Sequence, residues 1–154
     1  MKFYKIKILF LILLISVINV NRIEAAELDV VDFNQLKSSL NAVEDDKKIL
    51  FFFTSWCPYC KDTIHDILKH NSESYKKFFF ISLDTDYNKI ANLTKNINAD
   101  IKIYYMSSPE EVLNIFQNFK LKYNNAIPYI AVLDEDNELI KDNVNIRQLY
   151  RYLK

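Results

Sequence analysis

The chain has 154 residues, half of them hydrophobic, and its 20 basic side chains balance 20 acidic ones. That length suits one domain, and that apolar share excludes a disordered chain. There is no glycine, so left-handed turn positions fall to Asn and Asp, with Asn124-Asn125 and Asp136-Asn137 placed for them.

Met1 to Ala26 reads as a segment apart from the fold. Lys2, Lys5 and Lys7 make a positive start, Ile8 to Ile18 is apolar but for Ser16, and the small residues Ala25 and Ala26 follow. This is the pattern of a secretory signal peptide cleaved after Ala25 or Ala26. The alternative is an uncleaved N-terminal membrane anchor, although the run is short for a span of about 20 residues. No cysteine stands near it for lipidation. Both readings place residues 27–154 as a domain outside the cytoplasm, periplasmic or secreted. Without Lys2, Lys5, Lys7, Arg22 and Glu24 the chain keeps 16 basic and 19 acidic residues, a net charge of −3. A mildly acidic domain gives no support for nucleic-acid binding.

Asp32 or Asn34 can cap a first helix whose apolar stripe is Phe33, Leu36, Leu40 and Val43. Glu44 to Lys48 reads as a charged turn. Ile49 to Phe53 is apolar without alternation, as in a central strand buried on both faces. A helix from Pro58 turns Ile64, Ile67 and Leu68 inward and Lys61, Asp62, Asp66 and Lys69 outward, and Asn71 to Ser74 breaks it. Phe78 to Leu83 is a second buried strand, ending at Asp84-Thr85-Asp86. A helix at Asn88 to Asn96 and a short apolar run at Ile101 to Met106 come next. Ser108, Pro109 and Glu111 then predict a capping box with proline at the first helical position, and Val112, Ile115, Phe116 and Phe119 face the core. Pro128 to Leu133 is the third strand, Asp134 to Asn137 a tight turn, Glu138 to Lys141 a fourth strand, and Asn145 caps a closing helix through Leu153. Strands alternating with helices and ending in a hairpin predict an α/β sandwich around a mixed sheet.

The only two cysteines, Cys57 and Cys60, stand two residues apart between the Phe51–Phe53 strand and the helix from Pro58. Strand, C-x-x-C, helix is the order a dithiol redox site needs. The helix brings unpaired N–H groups and its positive dipole end to the first sulfur, favouring thiolate. Pro58 suits the first turn, where a missing N–H is harmless. Cys60 follows about one turn on, close enough to pair with Cys57. Cys57, ahead of the helix, is the expected nucleophile, and Cys60 the resolving thiol, shielded by the helix. A purely structural disulfide is a weaker reading, because so small a loop restrains the unfolded chain little. His65 and His70, five apart on a helix, do not share a face, so no metal site is assigned.

Trp56-Cys57-Pro58-Tyr59-Cys60-Lys61 after an apolar strand resembles the active site of the thioredoxin superfamily, over roughly Asp32 to Lys154. The resemblance implies a thioredoxin-like mixed sheet flanked by helices. It also implies a cis bond at Ile127-Pro128, facing the dithiol from the start of a later strand. The interval from Cys60 to Pro128 leaves room for an extra helix–strand unit around Asn88 to Met106, similar to exported thiol reductases of cytochrome c maturation. Catalytic Cys57 and Cys60 are then expected, with Trp56, Pro58, Tyr59, Ile127 and Pro128 contacting the substrate. No cofactor beyond the redox-active pair is implied. The implied partners are protein thiols and disulfides outside the cytoplasm, and a membrane or soluble redox protein that recycles the dithiol, acting on a monomer.

Departures from the family pattern matter. Phe51 stands where thioredoxin carries a buried aspartate, and Thr63 where the maturation reductases carry a glutamate. C-P-Y-C is also a glutaredoxin dipeptide, but the glycine pair that family uses for glutathione is absent. The expected function is reduction of exported protein disulfides or apocytochrome c. The alternatives are a disulfide oxidase or isomerase, or a thioredoxin-fold binding module with incidental thiols.

Overall fold

In a computed structural model, which describes residues 25–70 and 74–153, the two phenylalanine runs become neighbouring parallel strands. The order is β1 (Glu27–Val31), α1 (Phe33–Asn41), β2 (Lys47–Phe53), α2 (Pro58–His70), a 3-10 turn (Ser74–Lys77), β3 (Phe78–Ser82), α3 (Tyr87–Thr94), β4 (Lys102–Met106), α4 (Pro109–Asn118), β5 (Tyr129–Asp134), β6 (Leu139–Lys141) and α5 (Ile146–Leu149). Among the described residues the strands form one sheet in the order β1-β4-β3-β2-β5-β6. β1, β4, β3 and β2 run parallel, β5 is antiparallel to β2, and β6 pairs antiparallel with β5 as a hairpin. The expected helix–strand unit ahead of Pro128 is α3 with β4, which enters the sheet between β1 and β3.

Side chains alternate across the sheet, so β2 feeds two cores. Ile49, Phe51 and Phe53 pack with Ile64 and Ile67 of α2, Ile90 of α3 and Leu149 of α5. Leu50 and Phe52 pack on the other face with Leu36 and Leu40 of α1 and Ile115 and Phe119 of α4. Phe51, Phe52 and Phe53 are fully buried, and each contributes about 2–3 kcal/mol of hydrophobic stabilisation. That burial anchors the strand whose end carries the cysteines.

The described elements refine the expected ones at several points. Asp32 is the cap of α1: its carboxylate accepts the Gln35 N–H at 2.8 Å, and the Gln35 side chain accepts the Asp32 N–H at 2.9 Å. The capping box expected at Ser108 does not form. Ser108 makes no side-chain cap bond, and Glu111 instead accepts the Phe33 N–H of α1 at 2.8 Å. Packing of α4 against α1 gives that carboxylate an orphan donor on another helix. The supposed turn at Lys47 and Lys48 is strand, and Lys48 is buried, donating to the Glu135 carbonyl and the Asn137 amide oxygen, both at 2.8 Å. The closing helix is one turn, tightened by i→i−3 bonds from Arg151 and Tyr152. Positive φ occurs at Asn125 and Asn137 as expected, and also at Lys120 and Asn143. Lys120 follows α4, where its N–H reaches Gln117 and that of Leu121 reaches Phe116, a Schellman ending without glycine.

β1 was not among the expected strands. Its five residues abut the leader and hold two acids, and they become a strand by pairing with β4 some seventy residues later. Lys102 on β4 bridges Asp29 at 2.9 Å and Glu27 at 3.6 Å across that pair. Of Met1 to Ala26, only Ala25 and Ala26 lie within the described residues. Among those residues no helix is long and apolar enough to cross a membrane.

Candidate active site

The site stands at the carboxyl end of β2. The strand ends at Phe53, four residues make the loop, and Pro58 opens α2. Cys57 therefore occupies the capping position, and its Sγ accepts the Cys60 N–H at 3.1 Å. Serine or aspartate commonly fills that role at a helix start. A sulfur placed there receives both a donor and the positive end of the helix dipole, which favours the anion. Cys57 and Cys60 are joined as a disulfide. Cys60 is wholly buried, whereas Cys57 keeps 6% exposure.

Loop geometry is held from behind. Asp84, just past β3, is buried and accepts the Ser55 N–H and the Ser55 hydroxyl, both at 2.7 Å, and the Ser82 hydroxyl at 2.8 Å. The Leu83 N–H donates to the Phe53 carbonyl at 2.8 Å, extending the β2–β3 pairing to the loop. Asp84 thus fixes the backbone two residues before Cys57. Sequence reasoning passed over it as a strand end. The signal was an acid just past a largely apolar parallel strand, where the carboxyl ends of such strands gather around a site.

β5 runs antiparallel beside β2, with Phe52 opposite Tyr129. The preceding Ile127–Pro128 bond is cis. Ile127 and Pro128 line a small cleft of about 170 Å³ with Tyr59 and Thr63 of α2 and Asn143 and Ile146. Tyr59 is well exposed, whereas the Thr63 hydroxyl turns back to the Tyr59 carbonyl at 2.8 Å. Tyr129 is fully buried, and burial pushes its phenol above the ordinary range, so it stays a neutral hydroxyl.

The structure brings Tyr59, Ile127 and Pro128 to one cleft, with exposed Pro58 beside them in the chain, but Trp56 is elsewhere. Trp56 is 65% exposed and lines a separate depression with Ser55, Lys61 and Lys89. Cys60 is enclosed by the core of α2, β2 and β5, against which Ile127 packs. Phe51 is fully buried, so no carboxylate stands at either position where the related families carry one. His65 is exposed on α2, and among the described residues no cluster of three or more His, Cys, Asp or Glu could hold a metal ion.

A mixed sheet between helices, a disulfide at the start of α2 and a cis-proline beside it define a thioredoxin-like thiol–disulfide oxidoreductase. Solved structures carry the same fold. The pneumococcal exposed lipoprotein thioredoxin from Streptococcus pneumoniae is similar at 15% identity and TM-score 0.57, over 74% of this chain and 87% of that one. StoA from Bacillus subtilis is similar at 17% and TM-score 0.50, over 73% and 86%. The thioredoxin domain of a thiol-disulfide oxidoreductase from Bacteroides vulgatus is similar at 15% and 0.50, over 71% and 78%. No curated protein matches the sequence. The Redoxin family matches residues 21–148, and the chain belongs to it.

Proposed function

We propose that this protein is an exported reductase of protein disulfides, with Cys57 as nucleophile and Cys60 as resolving thiol. The observation that carries the reading is Cys57 Sγ at the α2 N-terminus, accepting the Cys60 N–H and more open to solvent than Cys60. Export is supported by the leader-like run in Met1 to Ala26 and by likeness to an exposed lipoprotein thioredoxin. Apocytochrome c is one substrate of the right chemistry.

In the reduced enzyme the Cys57 thiolate attacks one sulfur of the partner's disulfide. The partner S–S bond breaks, its departing thiolate takes a proton from water, and a mixed disulfide to Cys57 remains. The Cys60 thiol then attacks Cys57 Sγ, and its proton passes through water to the second departing sulfur. Two electrons and two protons have moved to the partner, and Cys57–Cys60 is a disulfide again. A dithiol donor, soluble or membrane-embedded, reverses that oxidation. Trp56, Pro58 and Tyr59 flank the attacking sulfur, while the backbone of Ile127 beside cis-Pro128 receives an extended partner strand.

The test is a pair of single variants examined on non-reducing gels with mass spectrometry of adducts. Cys60→Ser keeps attack and loses release, so it accumulates partners covalently on Cys57. Cys57→Ser forms few adducts or none. The opposite pattern reverses the two roles, and no adduct with either variant, together with no insulin reduction, turns the reading to a binding module.

A further inference from the structure

Beside Trp56 the depression shared with Lys61 and Lys89 measures about 390 Å³. It continues into a second one of about 500 Å³ between α2 and α3, and the two share Lys61, Leu93 and Asn96. The channel has an apolar floor, made by Ile64 and Leu68 of α2 and Leu93 and Ile97 of α3. Three lysines make its rim: Lys61 and Lys69, eight residues apart on α2, and Lys89 of α3. No carboxylate lines either depression, and no ion pair among the described residues engages Lys61, Lys69 or Lys89. Asp62 and Asp66 of α2 fall outside the lining.

This is a local excess of positive charge on a domain that is net acidic. The cis-proline cleft across the disulfide is lined by no charged side chain. Of these two depressions, only the one beside Trp56 carries charged side chains. From Lys61 to Lys69 the helix advances about 12 Å, the span of roughly four extended residues.

We infer that the channel between α2 and α3 receives an acidic, partly apolar segment of the partner protein, about four residues long, flanking the cystine that Cys57 attacks. The inference rests on the reductase reading and names the class of substrate for it. Apolar side chains of the segment cover the Ile64–Leu93 floor, and its carboxylates meet Lys61, Lys69 and Lys89. Complementary charge at such a surface acts mainly on encounter rate, and salt screens it.

The experiment uses the full chain and two synthetic cystine peptides that differ only in four flanking residues. One carries Glu-Leu-Asp-Leu and the other Lys-Leu-Lys-Leu. With the reduced protein at low ionic strength, the acidic peptide is expected to react about tenfold faster or more, and 0.5 M salt to bring that ratio near one. Lys61→Glu, Lys69→Glu and Lys89→Glu combined should invert the ratio. The channel reading is overturned by equal rates at low salt, or by a preference that survives both salt and the triple variant. A neutral small disulfide separates this failure from that of the redox reading. If it is reduced without any charge preference among the peptides, only the channel reading falls. If nothing is reduced, docking is still measured with serine in place of the peptide cysteines, through fluorescence of Trp56, the only tryptophan. Salt-sensitive quenching by the acidic peptide alone upholds the channel, and no quenching removes it.

Discussion

Two buried ionic side chains lie at opposite ends of β2: Lys48 at its start, and Asp84 against the loop that follows it. They are 1% and 9% exposed, and neither has an ion-pair partner among the described residues. Each is satisfied by neutral dipoles. Lys48 donates to Glu135 and Asn137 in the β5–β6 turn, and Asn137 in turn donates to Asn41 at the end of α1. Asp84 accepts from Ser55 and Ser82 and so holds the loop that carries Cys57. The chemistry of the two is alike, since a buried charge persists only when its hydrogen bonds are met. Their consequences differ by position. One closes a hairpin remote from the sulfurs, and the other sets the approach of the chain to the nucleophile.

Asp84→Asn gives the largest expected effect. The amide keeps the shape but withdraws charge from three donors, so denaturant unfolding should show a loss of about 3 kcal/mol. The reaction of reduced Cys57 with iodoacetamide should also change several-fold, because the loop and its local field change together. A variant that is destabilised but alkylates at the parent rate would dissolve the distinction between the two ends.

Lys48→Met comes next. It retains the apolar stem and removes two charge-assisted bonds, while also relieving the desolvation of an ammonium. The expected loss is about 1–2 kcal/mol, read from the same unfolding curves, with Cys57 alkylation unchanged. An altered alkylation rate would mean that the hairpin end is coupled to the site through β2.

Asn137→Gly isolates one acceptor of Lys48 and has the smallest effect. Glycine relieves the positive φ of 63° at this position, a gain of about 0.5–1 kcal/mol after its own entropy is deducted. It also strips Lys48 and Asn41 of a partner, and the net is a loss of roughly 0.5–1 kcal/mol. Lys120→Gly, at φ 55° and with only an exposed 3.9 Å pair to Glu138, should instead gain stability. If both glycines stabilise equally, the Lys48–Asn137 bond contributes nothing measurable.

Much of this molecule was legible before any coordinates. The apolar run at Ile49–Phe53 and the run at Phe78–Leu83, broken only by Ser82, became central strands, because a strand covered on both faces shows no alternation. Asp32 and Asn145 capped the helices they precede, and asparagine took three left-handed positions, two of them expected, in a chain without glycine. Cys57-Pro58-Tyr59-Cys60 marked a dithiol between a strand and a helix, while the proline facing it was implied by the family resemblance of Ile127-Pro128. Apart from that resemblance, these signals act within a few residues, through periodicity, capping or backbone preference, so the local sequence suffices to express them.

The rest waited on the order of strands in the sheet. β1 exists as a strand because β4 lies beside it. Glu111 caps a helix that begins 78 positions earlier, Lys48 finds Asn137 at a separation of 89, and Ser55 finds Asp84 at 29. Trp56 and Pro128, both expected to contact the substrate, line different depressions. Each of these contacts depends on which elements pack side by side, and a hydrogen bond between distant residues leaves no periodicity in either segment. The amino-acid sequence by itself determined most of the elements and the dithiol. Only the tertiary structure decided what supports the loop from behind and which surface flanks each side of the reactive sulfur.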